Sequence, residues 1–176
     1  MGTDIHTFIE YKVQNNKKVS WRSFSDGAFW LERDYTMFYI LAQVRSEKTP
    51  KSFKAKGKVP FNQISNSVRD GRMASIGEYN EEYGGCIRGY TKEQAIEFKK
   101  KFGCRIQYIC KNPYWVDEPD YHSDTWLTFS EYSQALQYYE DYTKETPPIG
   151  YLAVYEIMKV YENAGHETRL IVFFDN

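Results

Sequence analysis

Leucine is scarce in this chain. Six leucines stand beside twelve isoleucines and nine valines in 176 residues, and with eleven phenylalanines they make up about 22% of the sequence, close to the level at which chains stay disordered. Cysteine is rarer still. Cys86, Cys104 and Cys110 are odd in number and contain no Cys-x-x-Cys pair, which leaves no basis for a disulfide framework or a thiolate zinc site and fits a reducing compartment. Cys104 and Cys110 flank an apolar run and read as small buried hydrophobes or, in the alternative, as nucleophiles.

Long apolar runs are missing as well. Nothing approaches the roughly 20 residues of a membrane-spanning helix, and Asp4 stands where a secretory leader would carry a basic end and a greasy stretch. The expectation is a soluble, cytoplasmic protein with no membrane partner. Neither sign of charge dominates: 23 basic and 24 acidic side chains leave a net charge of -1, which excludes bulk nucleic-acid binding by charge and confines any such role to a local patch. No P-loop, dinucleotide glycine fingerprint, Gly-x-Ser-x-Gly elbow or His-Glu-x-x-His helix occurs.

Aromatics take the place of the missing leucine. Sixteen Tyr, eleven Phe and four Trp outnumber the aliphatic core residues and can supply the burial themselves. The predicted class is α+β: a single domain over 1–176, a mixed β-sheet packed by about four helices, and a long irregular central loop. Residues 3–13 read as a strand, with Ile5, Ile9 and Tyr11 on one face and Asp4, His6, Phe8 and Glu10 on the other. Val19 to Phe24 reads as its hairpin partner. Asp34 is the expected N-cap of a helix from Tyr35 to about Arg45, apolar nearly all round and therefore central. Capping boxes at Thr91 and Thr128 predict helices to Phe102 and to about Tyr142. A last helix, Leu152 to Asn163, is closed by Gly165. Residues 105–110 and 169–174 read as strands, the latter covered on both faces. Between these elements, 46–90 reads as an irregular basic stretch, with five lysines and one glutamate between Glu47 and Lys58, and an acidic loop over 112–125 is expected to lie against it.

Chemistry can be sought in a few places only. Asp4 and His6 share a strand face, so a carboxylate and an imidazole converge, as a divalent-metal site, a base with its orienting carboxylate, or a structural hydrogen-bonded pair requires. His122 and Ser123 precede Trp126, an imidazole and a hydroxyl beside an aromatic wall, which serves a ligand site or an ordinary loop contact. Arg33 and Arg45 bracket the apolar helix that Tyr35 opens, placed to hold phosphate or to pair with carboxylates. Asp175 lies at the carboxyl end of a buried strand, where sheets gather ligands. His166 reads as a solvated turn residue, and Tyr114, Trp115 and Tyr121 serve either for stacking or as core filler.

These pieces together resemble a family of small phage and prophage proteins that begin Met-Gly-x-Asp-Ile-His. The resemblance runs through Met1-Gly2-Thr3-Asp4-Ile5-His6 with Glu10, Arg33-Asp34-Tyr35 and Phe38, Leu41-Ala42-Gln43-Val44-Arg45, His122-Ser123 with Trp126-Leu127-Thr128, and Arg169-Leu170-Ile171-Val172-Phe173-Phe174-Asp175-Asn176. Its central segment is only loosely similar at Pro60 to Ser65, and 66–90 look like an insertion. The resemblance implies a viral accessory protein acting in a bacterial cytoplasm. Its motifs hold the inventory for cleaving or gripping a phosphorylated small molecule: a carboxylate, two imidazoles, a hydroxyl and two guanidiniums. The leading expectation is a counter-defence phosphodiesterase-like hydrolase of a cyclic nucleotide or related signal. In it His6 and His122 act as base and acid, Asp4 orients an imidazole, and Arg33 or Arg45 neutralises phosphate. No cofactor is required by that scheme, although Asp4, His6 and Asp175 are the candidates for a divalent metal if one is used. The alternatives are a sponge that sequesters the same nucleotide unchanged, and an inhibitor that binds a host protein. The many aromatics at near-zero net charge also favour homo-oligomers.

Overall fold

The computed structural model describes residues 2–15, 18–45, 49, 51–78, 111–117 and 121–175. The chain divides into two compact units, Met1–Gly71 with His122–Asn176, and Arg72–Tyr121. The first unit carries an α+β fold. Its five strands are β1 (Asp4–Asn15), β2 (Lys18–Ser23), β3 (Phe29–Trp30), β6 (His122–Thr128) and β7 (Thr168–Asp175), in the order β2-β1-β7-β6 with β3 beside β2 on the same edge of β1. Every pairing is antiparallel. Its helices are α1 (Tyr35–Ala42), α2 (Asn66–Gly71), α3 (Phe129–Thr143) and α4 (Ile149–Asn163). The second unit contains β4 (Met73–Glu78) paired antiparallel with β5 (Lys111–Asp117). The expected helix from Thr91 and strand 105–110 lie outside the described residues, as do all three cysteines. Among the described residues no helix is long and apolar enough to cross a membrane.

The helix ends follow from local chemistry. Asp34 accepts a hydrogen bond from the Met37 amide through Oδ1 and caps α1, which stops at Ala42 because Gln43 turns left-handed at φ 57°. Three residues of the expected helix are thereby lost from its end. Thr128 and Glu131 form the capping box of α3 as the sequence indicated. Gly165, at φ 86°, closes the end of α4 with a backbone conformation that a side chain would strain. Within the stretch read as irregular, a short 3-10 turn at Phe61–Gln63, α2 and β4 are regular.

The central strands β1 and β7 are buried on both faces, and all eight residues of β7 are buried. On one face Ile5, Ile9, Leu170, Val172 and Phe174 pack against Met37, Phe38 and Leu41 of α1, Tyr132 and Leu136 of α3, and Val154 and Met158 of α4. Tyrosine does the work of leucine there, and its hydroxyls find acceptors. Tyr132 donates to the Tyr151 carbonyl, Tyr151 to the Glu32 carbonyl, and Tyr139 to Asp34, each at 2.9 Å. Burial, then the hydrogen bond and charge of Asp34, push the Tyr139 hydroxyl up to about 12. The opposite face carries His6, Phe8, Glu10, Arg169, Ile171 and Phe173. It too is covered: Phe8 lies so close to Gly71 that a β-carbon on that residue would collide with the ring. A second buried face explains why a strand with an unusual polar side can be central.

Candidate functional site

The β1–β7 register sets Asp4 opposite Asp175 and His6 opposite Phe173. His6 Nε2 lies 3.0 Å from Asp175 Oδ2, both side chains buried. The imidazole stacks on Phe173 at 5.4 Å with an 11° interplanar angle, and the edge of Trp30 meets it at 4.8 Å. Trp30 itself is 69% exposed, whereas His6 is only 3% exposed. Sequence reasoning gave no role to Trp30. Its only signal was its place beside Leu31-Glu32-Arg33, and its pairing with His6 is a tertiary fact.

The two arginines arrive at the same strand end from either side of α1. Arg33 forks onto Asp4, with Nη2 donating to Oδ2 at 2.9 Å and Nε to Oδ1, and this partner holds its guanidinium above the ordinary value. The guanidinium passes over Gly2, where a side chain would displace it. Arg45, itself left-handed at φ 65°, donates from Nε to Thr3 Oγ1 at 2.9 Å and lies 5.6 Å from the centroid of the Tyr35 ring. Tyr35 and both arginines are exposed. The structure therefore brings Asp4, His6, Arg33, Tyr35, Arg45 and Asp175 to one end of the sheet, although they come from three distant parts of the chain.

His122, Ser123 and Trp126 do not join them. The segment read as an acidic loop enters β6 at His122, and the β6–β7 register shifts between His122 and Thr125, where Ser123 is left-handed at φ 51°. One extra residue in a strand moves every side chain before it to the other face. His122 consequently opposes Phe174, on the helix-packed face, and stacks near that ring at 6.2 Å. His6 lies on the opposite face, two strands away, about 10 Å along the sheet at ordinary strand spacing. Ser123 Oγ meets His122 Nδ1 at 2.9 Å, and Nε2 is buried without a hydrogen-bond partner among the described residues. Trp126 returns to the His6 face opposite Ile171, but its ring is occupied by the Lys56 ammonium at 3.9 Å, which also pairs with Glu131. Of the expected contact between basic and acidic loops, the first unit holds hydrogen bonds from the Gly57 amide to the Asp124 carbonyl and from the Lys56 amide to the Thr125 hydroxyl.

No group of three or more His, Cys, Asp or Glu side chains is arranged to hold a metal ion among the described residues. Both Asp4 oxygens already accept from Arg33, and His6 Nε2 faces Asp175, so a cation would have to break both pairs. His166 is more engaged than a solvated turn residue: Nδ1 lies 3.1 Å from the Lys12 carbonyl and the ring meets Tyr11. A further cluster escaped the sequence reading. Glu10 and Arg169 form a fully buried pair at 2.7 Å, with Glu10 accepting the Ser65 amide, Arg169 donating to the Gln63 carbonyl, and Trp21 stacked on the guanidinium at 3.9 Å. Both Glu10 oxygens and the Nε and Nη2 of Arg169 have partners within it, which marks it as a structural knot. Compared with known protein families, curated proteins and solved structures, the chain matches none.

Proposed function

We propose that this protein binds a small phosphorylated nucleotide at the β1–β7 strand end and holds it unchanged. The observation that carries this reading is the pair of exposed guanidiniums, Arg33 and Arg45, hung from the consecutive residues Asp4 and Thr3, with the exposed ring of Tyr35 beside Arg45 and the exposed ring of Trp30 against His6. Two guanidiniums match the forked acceptors of a phosphate or diphosphate, and aromatic faces suit a base. The Asp4–Arg33 pair is exposed, so exchanging the carboxylate for a phosphate oxygen costs little. Separation of the two imidazoles on opposite faces of the sheet weighs against a paired acid and base and favours sequestration over cleavage. The resemblance to phage and prophage proteins supports the rest of the reading, in which the ligand is a nucleotide signal of host defence and the site of action is the bacterial cytoplasm.

The His6–Asp175 pair favours one second reading, a phosphodiesterase-like hydrolase in which a single oriented imidazole moves the proton. One experiment separates the two. Purified protein is titrated calorimetrically with cyclic mononucleotides, cyclic dinucleotides and ADP-ribose derivatives, then heat-denatured and the released nucleotide chromatographed. Binding with intact release, weakened about tenfold or more by Arg33→Ala or Arg45→Ala, is the expected result. Released product points to the hydrolase, and no binding by any member of the panel removes the nucleotide reading for these classes.

A further inference from the structure

A second surface lies away from this strand end. β2 is the last strand of the sheet, and its register with β1 shows which of its amides are in use. Phe24 donates to the Ile9 carbonyl, so by antiparallel alternation Arg22, Ser20 and Lys18 bond inward to β1 while Val19, Trp21 and Ser23 turn their amides outward. Among the described residues nothing pairs with that outward row. An open groove of about 640 Å³ runs the length of the strand, walled on one side by Lys18–Ser23 and on the other by residues 62–67. Its far wall is polar, with Asn62, Ser65 and Asn66, and neither Lys18 nor Arg22 forms an ion pair with a described residue.

We infer that β2 is a docking edge for an acidic peptide segment of a partner protein, which adds to the sheet as an extra extended strand. A free edge beside a groove is the geometry of strand addition: backbone bonds supply affinity and alternate side chains supply choice. The six residues of β2 offer roughly 20 Å of ladder. Charge sets the partner. Lys18, Ser20 and Arg22 alternate along one face, so a strand carrying Glu or Asp at alternate positions sets carboxylates against both cations. The same spacing disfavours a second copy of this chain, because a two-fold axis through Ser20 puts Lys18 opposite Arg22 of the other copy. It also disfavours single-stranded nucleic acid: the Trp21 ring is covered by Arg169 at 3.9 Å and approached by Lys12 at 5.8 Å, so it is not set for stacking on a base.

The test uses the full chain and fluorescent peptides of alternating glutamate and valine, with an alternating lysine and valine peptide as control, read by anisotropy. The acidic peptide is expected to bind about tenfold or more tightly than the basic one. Val19→Pro removes an outward amide without touching the β1 ladder and should abolish binding. The double charge reversal Lys18→Glu with Arg22→Glu, two exposed positions, should invert the preference while leaving the circular dichroism spectrum unchanged. The inference is overturned by no preference between the peptides, by binding that survives Val19→Pro in a folded variant, by displacement of the peptide by oligothymidylate, or by a dimer in sedimentation that Val19→Pro dissolves.

Discussion

Asp4 and Asp175 stand directly opposite each other across β1 and β7, and each carboxylate is met by a different group: Arg33 grips Asp4 in solvent, while His6, two residues along the same strand, reaches Asp175 beneath Trp30. Like charges directly opposed across a sheet weaken it. Here each is engaged separately, so the strand end that carries the candidate site also depends on its partners for stability.

Replacing Asp175 by Ala removes the carboxylate that faces Nε2 of the buried His6. Losing one partner of a buried hydrogen bond costs about 1–3 kcal/mol, and urea denaturation of Asp175→Ala should show a loss of that size. A midpoint equal to that of the parent would mean that His6 draws nothing from the pair.

The buried Glu10–Arg169 pair predicts a larger effect of a different kind. Arg169→Ala strands a carboxylate that is 0% exposed and should cost about 3–5 kcal/mol in chemical denaturation. Removing both charges together, Glu10→Leu with Arg169→Leu, should cost less than the single change. If the double variant is the weaker of the two, the penalty comes from lost packing on Trp21 and not from the stranded charge.

His122 offers the converse. Its Nε2 is buried without a partner among the described residues and its ring stacks near Phe174, so His122→Phe removes one orphaned nitrogen at the expense of the bond to Ser123. The melting temperature should not fall, and nucleotide binding at the β1–β7 end should be unchanged. A selective loss of nucleotide turnover in this variant would restore the two-imidazole scheme.

Acid should reveal the tie between Lys56 and Glu131 of α3. Burial raises the Glu131 carboxyl, but hydrogen bonds from Lys56 and Thr128 outweigh it and hold the group below its ordinary value of 4.5. A carboxylate depressed in the folded state contributes stability that is present above its unfolded pKa and lost as pH falls through the folded value. Melting temperature measured against pH should therefore drop below about pH 4.5, and Glu131→Gln, which can keep the capping box, should show a shallower decline. Parallel curves for the two proteins would assign the acid sensitivity elsewhere.

How much of this was legible beforehand varied with the range of the forces involved. Helix starts and stops depend on residues three or four apart, so Asp34, Thr128 with Glu131, and Gly165 could be read directly, and the aromatic core followed from the shortage of leucine. β1 and β7 were visible as an alternating run and an apolar run. β6 was hidden, because His122-Ser123-Asp124 is polar and its strand conformation comes from pairing with β7. The buried Glu10–Arg169 pair joins residues 159 positions apart, and nothing local in either one shows the partner.

The sequence by itself determined the α+β class, the capped helices and the inventory of charged and aromatic groups, because these rest on local propensity, periodicity and composition. Tertiary structure alone decided which of those groups meet. Antiparallel register put Asp4 opposite Asp175 and within reach of Arg33 and His6. A single left-handed residue at Ser123 turned His122 to the other face, since a strand's side chains alternate every residue and one insertion inverts them all.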